Sequence, residues 1–258
     1  MNRITQLFNE KRNNILSIFI TAGYPNLNNL PEILLALQES GVDMIEIGMP
    51  FSDPTADGPI IQHSNTIAIE NGMTIQLMFE QLSNIRESIH VPLILMGYIN
   101  PALQFGFDNF LEQAKNVGID GVIIPDLPMY EYENIYKQSF EKNGLENIFL
   151  ITPQTANERI LKIDSISNSF IYVVSSHTIT GTNVNIEEQQ KDYFERLKTL
   201  KLKNPTVIGF GIKDASTFKF ATQHANGAII GSAYIKQMEN SKNIKKDTND
   251  FVKSILSN

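Results

Sequence analysis

The chain has 258 residues, 42% hydrophobic and 19% charged, with a formal net charge of −7. That balance belongs to an ordinary globular protein, and the acidic excess argues against nucleic acid as the main partner. Cysteine is absent, which excludes disulfides, thiolate nucleophiles and zinc–thiolate centres. No apolar run reaches the roughly 18 residues that span a bilayer. The polar stretch Met1–Asn14 lacks the apolar core of a signal peptide, so a cytoplasmic protein is expected.

A short helix is predicted over Thr5–Arg12, in a position to cover the bottom of whatever follows. Apolar, β-branched runs then recur at Leu16–Ala22, Met44–Gly48, Leu93–Tyr98, Gly121–Pro125, Ile148–Ile151, Phe170–Val174, Thr206–Phe210 and Ala228–Ile230. Amphipathic stretches with helical spacing separate them: Leu30–Glu39, Thr74–Ile89, Asp108–Val117, Tyr130–Asn143, Asn157–Ser167 and Glu187–Leu200. Eight strands alternating with helices over about 250 residues is the pattern of a (β/α)8 TIM barrel. No linker rich in Gly, Ser or Pro divides the chain, so residues 1–258 read as a single TIM-barrel domain with an N-terminal capping helix.

Such barrels do their chemistry at the C-terminal ends of the strands. Glu46 stands there among Met44, Ile45, Ile47 and Met49, at the end of the second run, and a buried carboxylate is expensive unless it has a use. The plainer reading is an internal ion pair. Asp57 follows eleven residues later on a loop stiffened by Pro50, Pro54 and Pro59, where it could equally be a turn residue or the N-cap of a helix that includes Ile61. Two acids in unlike environments suit proton transfer. Tyr98 and Asp126 end the third and fourth runs, and Tyr172 in the sixth is either plain wall or a hydrogen-bond partner of an acid or ligand.

The seventh run enters Gly209-Phe210-Gly211-Ile212 and the eighth enters Gly231-Ser232-Ala233. Glycine-rich turns at these two strands are where phosphate-binding barrels hold phosphate, although the same glycines could merely permit turns. Thr180-Gly181-Thr182, after the sixth run, could add donors. No lysine lies within any apolar run; Lys213 and Lys236 read as loop or helix-surface residues. The four histidines are scattered without ligand spacing. An imine-forming or metal aldolase is therefore not expected, and acid–base work by Glu46 and Asp57 remains.

These residues together resemble the tryptophan synthase alpha chain family. The most specific match runs from Ile45 through Gln62, around that family's two acids. Further matches are Phe19-Ile20-Thr21-Ala22-Gly23-Tyr24-Pro25, Met96-Gly97-Tyr98-Ile99-Asn100-Pro101, Pro125-Asp126-Leu127-Pro128 and the glycine turns, so nearly all of the chain is covered. The resemblance implies retro-aldol cleavage of indole-3-glycerol phosphate to indole and glyceraldehyde 3-phosphate, without a cofactor. It makes Glu46 the proton shuttle at indole C3 and Asp57 the partner of the indole N–H. Phe19, Met96 and Ile229 would wall the indole, with Tyr98 and Tyr172 near the acids. Thr180, Gly181, Gly211, Gly231 and Ser232 would hold the phosphate and the loop over it.

The resemblance also implies an α2β2 heterotetramer with a tryptophan synthase beta chain that carries pyridoxal phosphate and receives indole. Asp53, Pro54 and Pro128 match the side that contacts beta. Two positions depart from the family: Thr55 stands where Leu is usual, and Ser176 where many relatives carry Arg. The competing readings are a non-catalytic alpha-like subunit that binds the ligand and activates beta, a stand-alone lyase that releases indole and, more remotely, another phosphosugar-barrel isomerase.

Overall fold

Both faces of nearly every strand are buried, which is why the strands read in the sequence as continuous apolar runs rather than alternating ones. The computed structural model describes residues 2–175 and 186–257. Its strands are β1 (Ile15–Thr21), β2 (Met44–Gly48), β3 (Leu93–Met96), β4 (Gly121–Ile123), β5 (Glu146–Asn147), β6 (Leu150–Ile151), β7 (Ile171–Val174), β8 (Thr206–Gly209) and β9 (Gly227–Ile230). Every pairing is parallel, and the order is β5-β4-β3-β2-β1-β9-β8-β7-β6.

The two ends of that order are consecutive in the chain, and this closes the ring. β5 pairs with β4, β6 pairs with β7, and only Ile148 and Phe149 lie between them. Ile148 N–H donates to Val122 O at 3.0 Å, and Phe149 O accepts from Tyr172 N–H at 2.9 Å. The strand expected at Ile148–Ile151 therefore starts earlier, at Glu146, and is divided where it changes partners. The architecture is the expected TIM barrel, with its fifth strand in two pieces.

The leading helix spans Arg3–Glu10 rather than Thr5–Arg12, because the Asn2 side chain caps it by accepting from Ile4 N–H. It covers the bottom of the barrel as expected. Asn2 Nδ2 donates to Asp120 O at 2.8 Å, and the Phe8 ring lies 5.8 Å from that of Phe170. Asp120, buried just before β4, accepts from Arg3 at 3.0 Å, Arg86 at 3.1 Å and Leu93 N–H at 3.0 Å. These contacts tie the capping helix to the N-terminal strand ends.

Strand ends at the top also differ from the sequence reading. Glu46 sits in the middle of β2, between Phe19 of β1 and Ile94 of β3 in the register, not at the strand end. β3 stops at Met96, so Tyr98 caps the helix Ile99–Phe105. β4 stops at Ile123, and Asp126 lies in the following loop, where its Oδ1 accepts from Ile99 N–H at 2.9 Å. No helix among the described residues is long and apolar enough to cross a membrane.

Candidate active site

A cavity of about 430 Å³ opens at the C-terminal end of the barrel. Phe19 from β1, Tyr172 from β7 and Ile229 from β9 form its inner wall, with Met96 at the end of β3 and Phe210 just past β8. Asp57 enters from the loop after β2, and Gly211, Gly231 and Ser232 line the cavity from the segments after β8 and β9. A mostly apolar cavity with a few polar groups at its ends suits a flat aromatic body carrying an anionic tail.

Asp57 does not cap a helix. The helix Pro59–Glu70 begins after Gly58 without a side-chain cap, and Asp57 Oδ2 instead accepts from the Tyr98 hydroxyl at 2.9 Å. The same hydroxyl accepts from Ala56 N–H at 3.0 Å. Burial raises the Asp57 carboxyl above its ordinary value, and the Tyr98 hydrogen bond works against that rise. Tyr98 lies in a narrow recess that continues from the main cavity past Phe19, Met96 and Asp57, rather than on the main wall.

Glu46 is fully buried and touches no cation. Its Oε1 accepts from Ser17 Oγ at 3.2 Å, while Oε2 has no hydrogen-bond partner among the described residues. The internal ion pair considered from sequence is therefore absent among the described residues. Burial pushes the carboxyl up to about 8, with the Ser17 hydrogen bond lowering it. Such a group keeps its proton at neutral pH and can release it to a strong acceptor. The carboxyl lies beside the cavity wall and is not part of its surface, so substrate contact requires a small movement of Glu46 or of its neighbours.

Tyr172 bridges the two acids electrostatically. Its hydroxyl is held well above the ordinary phenol range by burial first, then by Glu46 and Asp57. Gly209 makes room for it: a Cβ there would run into the Tyr172 hydroxyl. At the far end, Phe210 and Gly211 both have left-handed backbone, with φ of 69° and 77°. Only glycine adopts this cheaply, so the strain at Phe210 marks a turn shaped for use. Ser175 Oγ fastens that turn by donating to Phe210 O at 2.6 Å.

The structure thus brings Phe19, Met96, Tyr172, Gly211, Ile229, Gly231 and Ser232 around one cavity with Asp57. Thr180 and Gly181, together with Ser176 and His177, lie outside the described residues. Asp53 and Pro128 are exposed at the rim, whereas Pro54 is buried. Sequence reasoning missed Phe210 as wall; Lys213 and Lys236 are the loop and helix-surface residues expected, but their place beside the cavity was not foreseen. Both lysines in fact line the cavity beside Gly211 and Ser232, and neither forms an ion pair among the described residues. Their spacing, two after Gly211 and four after Ser232, was the available signal. No group of three His, Cys, Asp or Glu side chains among the described residues could hold a metal ion.

The family model for the tryptophan synthase alpha chain matches residues 4–256. The chain belongs to the tryptophan synthase alpha chain family. It is 58% identical to the tryptophan synthase alpha chain of Flavobacterium psychrophilum over 92% of this chain and 94% of that one. The alpha chain of Christiangramia forsetii is 52% identical, with 99% and 98% covered. Among solved structures, tryptophan synthase subunit alpha from Legionella pneumophila superposes with a TM-score of 0.87 at 31% identity, covering 99% of this chain and 97% of that one. A chain of the tryptophan synthase complex from Pyrococcus furiosus gives 0.83 at 31% identity, with 95% and 99% covered.

Proposed function

We propose that this chain is the alpha subunit of tryptophan synthase and cleaves indole-3-glycerol phosphate to indole and glyceraldehyde 3-phosphate, with Glu46 and Asp57 as its acids. The observation that carries the reading is a buried, proton-holding Glu46 beside an apolar cavity that Asp57, Gly211, Ser232 and two lysines without an ion pair among the described residues all line.

The proton on Glu46 passes to indole C3, and the ring nitrogen takes on iminium character. Asp57, anchored by Tyr98, accepts the indole N–H and stabilises that charge. The ring is then the electron sink that an imine or a metal supplies in other aldolases. Loss of the hydroxyl proton from the adjacent glycerol carbon forms the aldehyde carbonyl. The carbon–carbon bond breaks, and its electron pair returns to the ring. Glu46 recovers a proton from that hydroxyl, so the carboxyl ends as it began. Phe19, Met96, Tyr172 and Ile229 hold the ring plane and keep water away. Gly211, Gly231 and Ser232 hold the phosphate.

The partner in this reading is a beta chain in an α2β2 assembly, approached through the rim that carries Asp53 and Pro128, with Pro54 supporting it from beneath. Pyridoxal phosphate chemistry belongs to that beta chain, and the cleavage step draws on no cofactor. Supplying the purified chain with indole-3-glycerol phosphate tests the proposal. Indole and glyceraldehyde 3-phosphate should appear in equal amounts and faster when a beta chain is added. Ligand binding without either product would overturn it.

A further inference from the structure

Ser17 is a fully buried serine in the middle of an apolar strand, level with Met44 of β2 and Ile229 of β9. A buried hydroxyl is costly unless it is hydrogen-bonded, and among the described residues this hydroxyl bonds Glu46 Oε1. We propose that Ser17 is a positioning residue for Glu46: its hydroxyl pins Oε1, leaves Oε2 as the oxygen that carries the working proton, and becomes the donor to the carboxylate once that proton has passed to substrate.

The inference rests on the acid role proposed above for Glu46. Oε1 is engaged and Oε2 has no partner among the described residues, so the two oxygens are already distinguished. A carboxylic acid puts its proton on the oxygen that is not accepting the stronger hydrogen bond, which here is Oε2. With Oε1 held against Ser17, Oε2 is the oxygen left to meet the substrate. When Oε2 protonates indole C3, the negative charge appears on a carboxylate that no cation faces. The other titratable group in its field is Tyr172 from β7, whose hydroxyl stays neutral, and Asp57 acts on that same tyrosine. The Ser17 hydrogen bond changes from neutral to charge-assisted during the step, so it strengthens as the transition state forms.

The test uses the full chain with Ser17→Ala and Ser17→Thr, and steady-state indole release is followed from neutral into alkaline pH. Ser17→Ala should lower kcat by roughly tenfold or more, as expected for loss of a hydrogen bond to a charged group, and leave KM within about twofold. Its alkaline limb should move upward from about 8, because the bond that favoured the anion is gone. Ser17→Thr keeps the hydroxyl and should restore both. The infrared carbonyl stretch of protonated Glu46, identified by its loss in Glu46→Gln, should shift in Ser17→Ala and return in Ser17→Thr. Wild-type kcat and an unmoved alkaline limb in Ser17→Ala would overturn the inference, as would a Thr variant no better than Ala. Glu46→Gln run alongside separates the two levels. If it retains activity, the acid role itself fails; if it is inactive while Ser17→Ala is normal, only the role of Ser17 fails.

Discussion

The Tyr98 hydroxyl holds two neighbouring points of the acid loop at once, donating to Asp57 Oδ2 at 2.9 Å and accepting from Ala56 N–H at 3.0 Å. The other anchors of the loop after β2 act elsewhere than on the Asp57 carboxyl: Phe51 N–H donates to Asn65 Oδ1 at 3.0 Å, Asp57 N–H to Pro54 O at 3.0 Å, and Gln62 Nε2 to Asp57 O at 2.9 Å. Tyr98 therefore decides where the Asp57 carboxyl points. A hydrogen bond to a charged group is worth about 1.5–3 kcal/mol. Tyr98→Phe should lower kcat/KM for indole release by roughly tenfold or more with the fold intact by circular dichroism. An unchanged kcat/KM would show that the loop is held by other means.

The buried Glu46 links stability to pH. Its carboxyl titrates near 8 in the folded chain against an ordinary 4.5, so the folded chain keeps a proton that the unfolded chain has released. Stability tied to this group is fully present below about 4.5 and is lost as pH rises through about 8. Glu46→Gln removes the titration and leaves the other groups in place. Urea unfolding of both proteins should show the variant gaining on wild type as pH rises across that window. A difference that does not change with pH would mean that Glu46 is not held protonated.

Lys213 and Lys236 bring positive charge to the cavity beside Gly211 and Ser232. Both are exposed, so each contributes modestly and in a salt-sensitive way. Replacing each with Ala should raise KM for the phosphorylated substrate severalfold with little change in kcat, and the wild-type KM should rise with ionic strength. A fall in kcat at constant KM would place these lysines in the chemistry instead.

At the other end of the barrel Asp120 does purely structural work. It is buried and neutralises Arg3 and Arg86 while accepting from Leu93 N–H. Asp120→Ala leaves the largely buried Arg86 without its counter-charge, a change that typically costs about 3–5 kcal/mol. Thermal unfolding should move to markedly lower temperature, and kcat measured on the remaining folded protein should stay near wild type. Loss of kcat without loss of stability would contradict this division between top and bottom.

Much of this was legible in the sequence, because a strand buried on both faces writes itself as an apolar run and a carboxylate in such a run stands out. Glu46 was singled out that way, whereas Asp57 and the glycine turns were singled out by their place on the loops after strands. Strand ends were less legible: the runs ending at Tyr98 and Pro125 continue apolar past the last ladder bond, since the loop residues also pack inward. The break in the fifth strand depends on a change of pairing partner, which a single sequence does not encode locally. Lys213 and Lys236 are loop and helix-surface residues as expected, but an exposed lysine beside a cavity and one on an outer face have the same sequence pattern, so their place at the cavity was not legible. The cap role suggested for Asp57 gave way to Tyr98, a residue 41 positions away, through a contact that only the barrel brings about.

The central claim is that Glu46 supplies the proton that starts carbon–carbon cleavage. Its most direct test is single-turnover indole release by wild type and Glu46→Gln, with substrate binding measured on the same samples. The account predicts that the variant binds indole-3-glycerol phosphate with near-normal affinity and releases almost no indole. Indole release within tenfold of wild type would contradict it.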